Sequence, residues 1–306
     1  MAFRVLVSDP LDASAVAAMR AAGLVVDEKT DLSPDRLKIE IAAYDAIVVR
    51  SATKVRAPII DAAKNLKLIV RAGVGLDNVD AEYAATKGIA VRNTPAASSN
   101  SVAELALGHI LSLARHIGRA TASMKAGKWE KKQLSGIEIQ GKNLGIIGIG
   151  RIGQLLAAKA SALGMTVVCY DAYLKTSPIP KIVRMVTWDE LLATSDFISL
   201  HIPFDPGVGA VIGAKEIQRM KDGVRIVNCA RGGVVDEAAL VEAMRAGKVA
   251  GVALDVFGAE PPAADHPLFA LDTVSLTPHV GAATDEAQAR VGDEAARIVI
   301  EFARTR

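Results

Sequence analysis

From Arg4 to Thr277 short aliphatic runs alternate with segments of helical period, and they do so in two successive series. Such alternation predicts parallel strands joined by crossover helices, because consecutive parallel strands need a long connection and a helix makes it compactly. The first series places strands at 4–8, 25–26, 46–49, 68–71 and 89–91, with an amphipathic helix over 13–22 ended by Gly23. The second places six strands, at 144–147, 166–170, 197–201, 225–229, 249–254 and 274–277, enough for a complete doubly wound domain. A chain of 306 residues exceeds one ordinary core. The expected architecture is α/β, two doubly wound parallel-sheet domains with a cleft between them.

A long helix is predicted over 98–120, opening with Ser101-Val102-Ala103-Glu104 as a capping box, and long enough to cross between domains. The polar stretch 124–141 that follows, with Trp129 among lysines, reads either as a solvated arm or as an oligomer contact. A last helix, 285–303, is expected to return to the first domain, giving boundaries of 1–95 with 284–306 for one and 96–283 for the other.

Charge narrows the function classes. Lysine and arginine number 36 against 34 acidic residues, a net +2 spread along the chain, so no one-signed field is available for nucleic acid or an anionic membrane. No apolar stretch approaches the ~20 residues of a span and no signal-type segment opens the sequence, which predicts a cytoplasmic protein. Cys169 and Cys229 lack metal or redox spacing and are expected as buried thiols; no metal site is expected.

After the strand 144–147 comes Gly148-Ile149-Gly150-Arg151-Ile152-Gly153, and helical spacing continues from Gln154. In that context Gly148 permits a tight turn, Gly150 admits a pyrophosphate to the backbone, and Gly153 lets the helix pack on its strand. The helix N-terminus, with the amides of Arg151 and Ile152, faces the anion. The next strand ends in Asp171, placed to accept the adenine-ribose hydroxyls and to repel a 2′-phosphate, which favours NAD over NADP, with Lys175 nearby. The second domain is thus expected to be a Rossmann-type NAD domain, leaving a flavodoxin-like substrate domain. A similar turn at 71–75 lacks the third glycine and reads as substrate-facing.

Three later strand ends carry charged groups beside glycine or proline, at 228–233, 255–262 and 277–281. Hydride transfer from a secondary alcohol needs a base near neutrality, which suits His279. Glu260 could fix its tautomer and stabilise the imidazolium, Arg231 could hold a substrate carboxylate bidentately, and Asp255 could meet the nicotinamide end.

The glycine loop with 228–233, 258–262 and 277–284 resembles the D-isomer-specific 2-hydroxyacid dehydrogenases, and the similarity covers essentially the whole chain. Segments 49–54, 71–80 and 122–129 resemble the phosphoglycerate dehydrogenases of that family. The resemblance implies catalysis by Arg231, Glu260 and His279. It implies substrate contacts at Arg50, Ser51, Arg71, Gly73, Asn100 and Arg231, and cofactor contacts at His201, Pro203, Ala230, Asp255 and Gly281. It also implies a phosphorylated 2-hydroxy acid as substrate, a homodimer, and NAD-dependent oxidation of D-3-phosphoglycerate to 3-phosphohydroxypyruvate at the entry to serine synthesis. Other D-2-hydroxyacid or glyoxylate/hydroxypyruvate reductases would share the catalytic set, and an NAD-sensing corepressor could share the fold. Two departures stand out. The run after His201 is Ile202-Pro203-Phe204-Asp205-Pro206 where phosphoglycerate dehydrogenases commonly have Leu-Thr after the proline, and the sequence stops after the last helix, so feedback control through a C-terminal regulatory domain is not expected.

Overall fold

The computed structural model describes residues 2–305 and divides into two units, one built from the chain up to Ser99 and again from Ala282, the other from Asn100–Gly281. Both are parallel α/β sheets.

The first sheet comprises β1 (Arg4–Val7), β2 (Val25–Glu28), β3 (Ala46–Val49), β4 (Leu68–Arg71) and β5 (Ala90–Asn93), in the order β2-β1-β3-β4-β5. This is the flavodoxin-like order, with its switch point between β1 and β3. Alternation along each strand feeds two cores. Val5, Val7, Val48 and Val70 pack beneath helices Ala13–Ala21 and Asp285–Arg304, while Leu6, Ile47, Val49 and Ile69 pack on the opposite face beneath Pro34–Glu40, Ala57–Ala62 and Ala81–Thr86. Asp12, Ser33, Asp80 and Thr284 cap their helices, each accepting a first-turn amide.

The second sheet holds β6 (Asn143–Ile147), β7 (Thr166–Tyr170), β8 (Val183–Met185), β9 (Phe197–Leu200), β10 (Val224–Asn228), β11 (Val249–Leu254) and β12 (Val274–Leu276), ordered β12-β11-β10-β9-β6-β7-β8. The order reverses between β6 and β9, the Rossmann-type switch point. The sheet has seven strands rather than the six expected; β8 is a three-residue edge strand with Arg184 at its centre, too short and too polar to read as a buried run. One face packs Leu144, Ile146, Val167 and Val227 with helix residues Ala103, Ala106 and Ile110; the other packs Ile147, Ile198, Ile226 and Leu254.

The predicted helix 98–120 is two helices, Ser99–Arg115 and Ile117–Lys125, separated by His116 in the left-handed region at φ 54°. The left-handed residue is a histidine, with Gly118 two positions beyond it in the first turn of the second helix. The helix already begins at Ser99, so Ser101 lies within its first turn. Glu104 accepts from Asn100 Nδ2 at 2.8 Å and Lys159 Nζ at 3.3 Å. Both cysteines are free and buried, and burial pushes the Cys169 thiol up to about 12, beyond any nucleophilic role at neutral pH. No helix among the described residues is long and apolar enough to cross a membrane, and no cluster of metal-ligating side chains occurs among them.

Candidate active site

The chain leaves β6 at the switch point and turns at Gly148, φ 93°, whose missing Cβ would otherwise strike the His201 carbonyl oxygen beyond β9 at 2.7 Å. Gly153 lies in the first turn of helix Arg151–Ala162, where a Cβ would collide with the carbonyl oxygen of Gly148. Gly150 differs: nothing stands within 4 Å of its Cβ position, so it opens on free space at the helix N-terminus. There the first-turn amides, those of Arg151 and Ile152 included, lack intrahelical acceptors. Asp171 accepts from the amide of Ile149 at 3.0 Å and from those of Tyr173 and Leu174 at 2.9 and 3.0 Å. Burial would raise its pKa, but those amides and Lys175 outweigh it and hold the carboxyl below its ordinary range. His201 bonds Ser199 through Nε2 at 2.9 Å, while Nδ1 is buried with no hydrogen-bond partner among the described residues. Burial drops its pKa to about 4. An open anion cradle, an ionised carboxylate one strand over and an orphaned imidazole nitrogen beside the loop all suit a dinucleotide.

Three strand ends of the same unit carry the candidate catalytic groups. Beyond β10, Asn228 folds the turn by donating to the Arg231 carbonyl at 2.8 Å and accepting from the Ala230 amide at 3.0 Å. Arg231 donates to the Ala230 carbonyl at 2.6 Å, and Gly232 touches the Phe257 carbonyl oxygen so closely that no side chain fits. That contact brings the arginine turn against the loop after β11. Glu237 pins the latter, accepting from the Gly258 amide at 2.7 Å and pairing with His266 Nε2 at 2.9 Å. Glu260 then accepts from the Phe257 amide at 3.1 Å through Oε1 and meets His279 Nδ1 at 2.7 Å through Oε2. Both side chains remain partly exposed, 51% for His279 and 37% for Glu260, which leaves the pair open to a ligand. His279 has φ 53°, a left-handed conformation that a side-chain-bearing residue keeps only when its surroundings hold it.

Asp255 is turned toward its own chain: Oδ1 accepts from Thr277 and Val280, Oδ2 from Gly281 at 2.8 Å. Its role in the geometry is to shape the His279 turn, and the Gly281 amide is used there also. Pro203 is exposed, and the divergent Phe204 beside it packs its ring where a Cβ on Gly233 would fall, at 2.9 Å.

In the other unit Arg50 follows β3 and Arg71 ends the adjacent β4, with Val49 and Arg71 in register. Arg50 stands at that sheet's switch point. Asp9, beyond β1 and 3% exposed, accepts the amides of Arg50 and Thr53 and the Thr53 hydroxyl. Asn78 donates to the carbonyls of Arg50 at 2.7 Å and Thr53 at 2.6 Å, tying the exposed Ser51 turn from the other side. Gly73, φ 146°, leaves room for the Arg71 guanidinium folded across it. These four candidates therefore gather at one end of one sheet, whereas Asn100 belongs to the nucleotide unit and bonds Glu104. Sequence reasoning missed Asp9, Asn78, Asn228, Glu237 and His266. Each sits at or just beyond a strand or helix end, but nothing local in the sequence tells which distant turn it holds.

Residues 107–281 match the family model described as D-isomer specific 2-hydroxyacid dehydrogenase, NAD binding domain. The chain is 48% identical over 302 residues to a D-3-phosphoglycerate dehydrogenase of Archaeoglobus fulgidus, covering 98% of this chain and 57% of that one. It is 51% identical to a hydroxypyruvate reductase of Thermotoga maritima, covering 95% of each. A D-lactate dehydrogenase of Aquifex aeolicus, solved with NAD and lactic acid, superposes with a TM-score of 0.85 at 32% identity over 99% of this chain and 96% of that one. The chain thus spans little more than half the length of the phosphoglycerate dehydrogenase it matches and nearly all of the reductase. The Asn100–Gly281 unit binds NAD, and the chain belongs to the D-isomer-specific 2-hydroxyacid dehydrogenases.

Proposed function

We propose that the chain oxidises D-3-phosphoglycerate to 3-phosphohydroxypyruvate, the entry step of serine synthesis. The observation that carries this reading is the 2.7 Å contact of His279 Nδ1 with Glu260, beside the Arg231 turn, in a unit that binds NAD. With Nδ1–H given to Glu260, His279 Nε2 keeps a lone pair and takes the substrate hydroxyl proton as the ketone forms. Glu260 stabilises the resulting imidazolium, and Arg231 holds the substrate carboxylate in the fork that a guanidinium supplies. Gly148, Gly150, Arg151, Ile152, Gly153 and Asp171 would hold NAD, with His201, Pro203 and Ala230 toward its nicotinamide half, and NAD would supply the hydride acceptor; Asp255 and Gly281, bonded to each other, support the His279 turn beside it. Arg50 and Arg71, with Ser51 and Gly73, bind the phosphate, and Asn100 completes the substrate set. We also take the protein to be a cytoplasmic homodimer; Trp129, 78% exposed in one chain, is the side chain whose burial a second copy would supply.

The hydroxypyruvate reductase similarity, near full length in both chains, favours a second reading in which unphosphorylated hydroxypyruvate is reduced. A panel of D-3-phosphoglycerate, hydroxypyruvate, D-lactate and D-glycerate with NAD(H) and NADP(H) separates the two. Under the first reading Arg50→Ala and Arg71→Ala each raise KM for phosphoglycerate by ~10- to 100-fold and leave hydroxypyruvate little changed. Full activity on phosphoglycerate in both variants, with loss only in Arg231→Ala, would remove the phosphate assignment.

A further inference from the structure

Helix Ser99–Arg115 buries an imidazole that the proposed chemistry does not use. His109 is 3% exposed, and its ring touches two hydroxyls at the end of β12: Nδ1 lies 2.9 Å from Ser275 Oγ and Nε2 3.1 Å from Thr277 Oγ1. Thr277 Oγ1 is in turn 2.6 Å from Oδ1 of Asp255, which is 1% exposed and also receives the amides of Val280 and Gly281. The direction of these bonds follows from the donor inventory. A carboxylate has no hydrogen to give, so the Thr277 hydroxyl donates to Asp255, and its lone pairs must accept from His109 Nε2–H. Nδ1 lies against Ser275, whose hydroxyl also meets Ser112 Oγ at 3.1 Å. Burial, only partly opposed by Asp255, lowers the His109 pKa and favours the neutral ring. The chain of bonds ends on both sides of His279, at Thr277 and at Val280, the turn held in the left-handed region.

We propose that His109 is a positioning residue for His279, acting through Thr277 and Asp255 as a buried, hydrogen-bonded clamp on the turn that carries the catalytic imidazole. The inference rests on the reading of His279 as the base. A buried hydrogen-bond network fixes geometry, and the missing Nε2 donor leaves Thr277 free to rotate away from Asp255.

The test uses the full-length, NAD-bound protein. In His109→Leu the donor is lost, and kcat should fall ~10- to 100-fold, while the Kd for NAD stays within about twofold of wild type. His109→Gln, whose amide nitrogen can replace Nε2, should recover most of kcat. A folded His109→Leu protein with wild-type kcat overturns the proposal, as does His109→Gln impaired as badly as His109→Leu. If His109→Leu does not fold, Thr277→Val cuts the same link at nearly constant volume and carries the same expectation and the same overturning result. Ring 15N signals of His279, resolvable among five histidines, should lose the Glu260-bonded signature in these variants. That readout does not depend on turnover: persistence of activity in His279→Ala defeats the base assignment alone, whereas an unchanged His279 signature in His109→Leu defeats the clamp.

Discussion

Asp171 and His201 show how single side chains couple this site to its solvent conditions. Asp171 accepts three backbone amides and remains ionised. Asp171→Ala removes charge-assisted bonds and the repulsion of a 2′-phosphate together. Stability should fall by about 1–2 kcal/mol, and the Kd for NAD should rise at least ~10-fold while that for NADP improves; titration of both cofactors by fluorescence measures this, and an unaltered NAD preference would remove Asp171 from the ribose site. His201 acts through pH. Its pKa falls from 6.5 to about 4 on folding because the buried ring cannot keep a proton, so the unfolded chain takes up that proton first as pH drops. The stability that His201 contributes is therefore full above about pH 6.5, declines toward pH 4 and levels off below. The loss is of the order of 2–3 kcal/mol. Denaturant midpoints across this range should show the decline in wild type and a flatter profile in His201→Gln, the remaining slope coming from His109, whose pKa is also lowered by burial, and toward pH 4 from carboxylates such as Asp171 that folding holds ionised. Parallel profiles in the two proteins would contradict the assignment.

At the scale of elements, the strand–loop–helix of the nucleotide unit separates folding from binding. Gly153→Ala would force its methyl into the Gly148 carbonyl oxygen and pry the helix from β6, whereas Gly150→Ala meets only open space. Thermal melts should show Gly153→Ala destabilised by about 2 kcal/mol or more, with Gly150→Ala close to wild type yet weakened in NAD binding; equal melting points would refute the packing argument. The glycine loop was legible because strand, turn and helix signals are contiguous, and Asp171 because it closes the next strand. Arg231, Glu260 and His279 were legible as strand-end groups among glycine and proline, but their convergence is set by Gly232 against Phe257 and by Glu237 on Gly258, contacts between distant segments. The break at His116 escaped for a related reason. A glycine sits at 118 and not at the left-handed position itself, and that turn is accompanied by a contact of the His116 ring with the Ser135 carbonyl at 3.2 Å, nineteen positions on. Strand β8 was invisible because three residues with a central arginine give no hydrophobic period.

At the scale of the molecule, the chain builds one continuous unit inside one discontinuous unit, and their cores have different requirements. The residues of Asn100–Gly281 fill two cores of their own, on either face of the seven-stranded sheet, and include every group proposed to hold NAD. The other unit is incomplete without the last helix, because Val291, Ala295, Ala296 and Val299 close the core over Val5, Val7, Val48 and Val70. Burying each of the two valines is worth roughly 1.5–3 kcal/mol, so removing the helix costs a large share of the about 5–15 kcal/mol that stabilises a small domain. A fragment of residues 100–281 should therefore unfold cooperatively and bind NAD within about threefold of the full chain, without turnover. A chain truncated after residue 284 should keep NAD binding yet lose the cooperative transition of its first unit and become protease-sensitive before residue 99. Calorimetric NAD titration and limited proteolysis measure both. An unfolded 100–281 fragment, or a truncated chain whose first unit resists proteolysis as the intact protein does, would show that these cores do not stand as the packing implies.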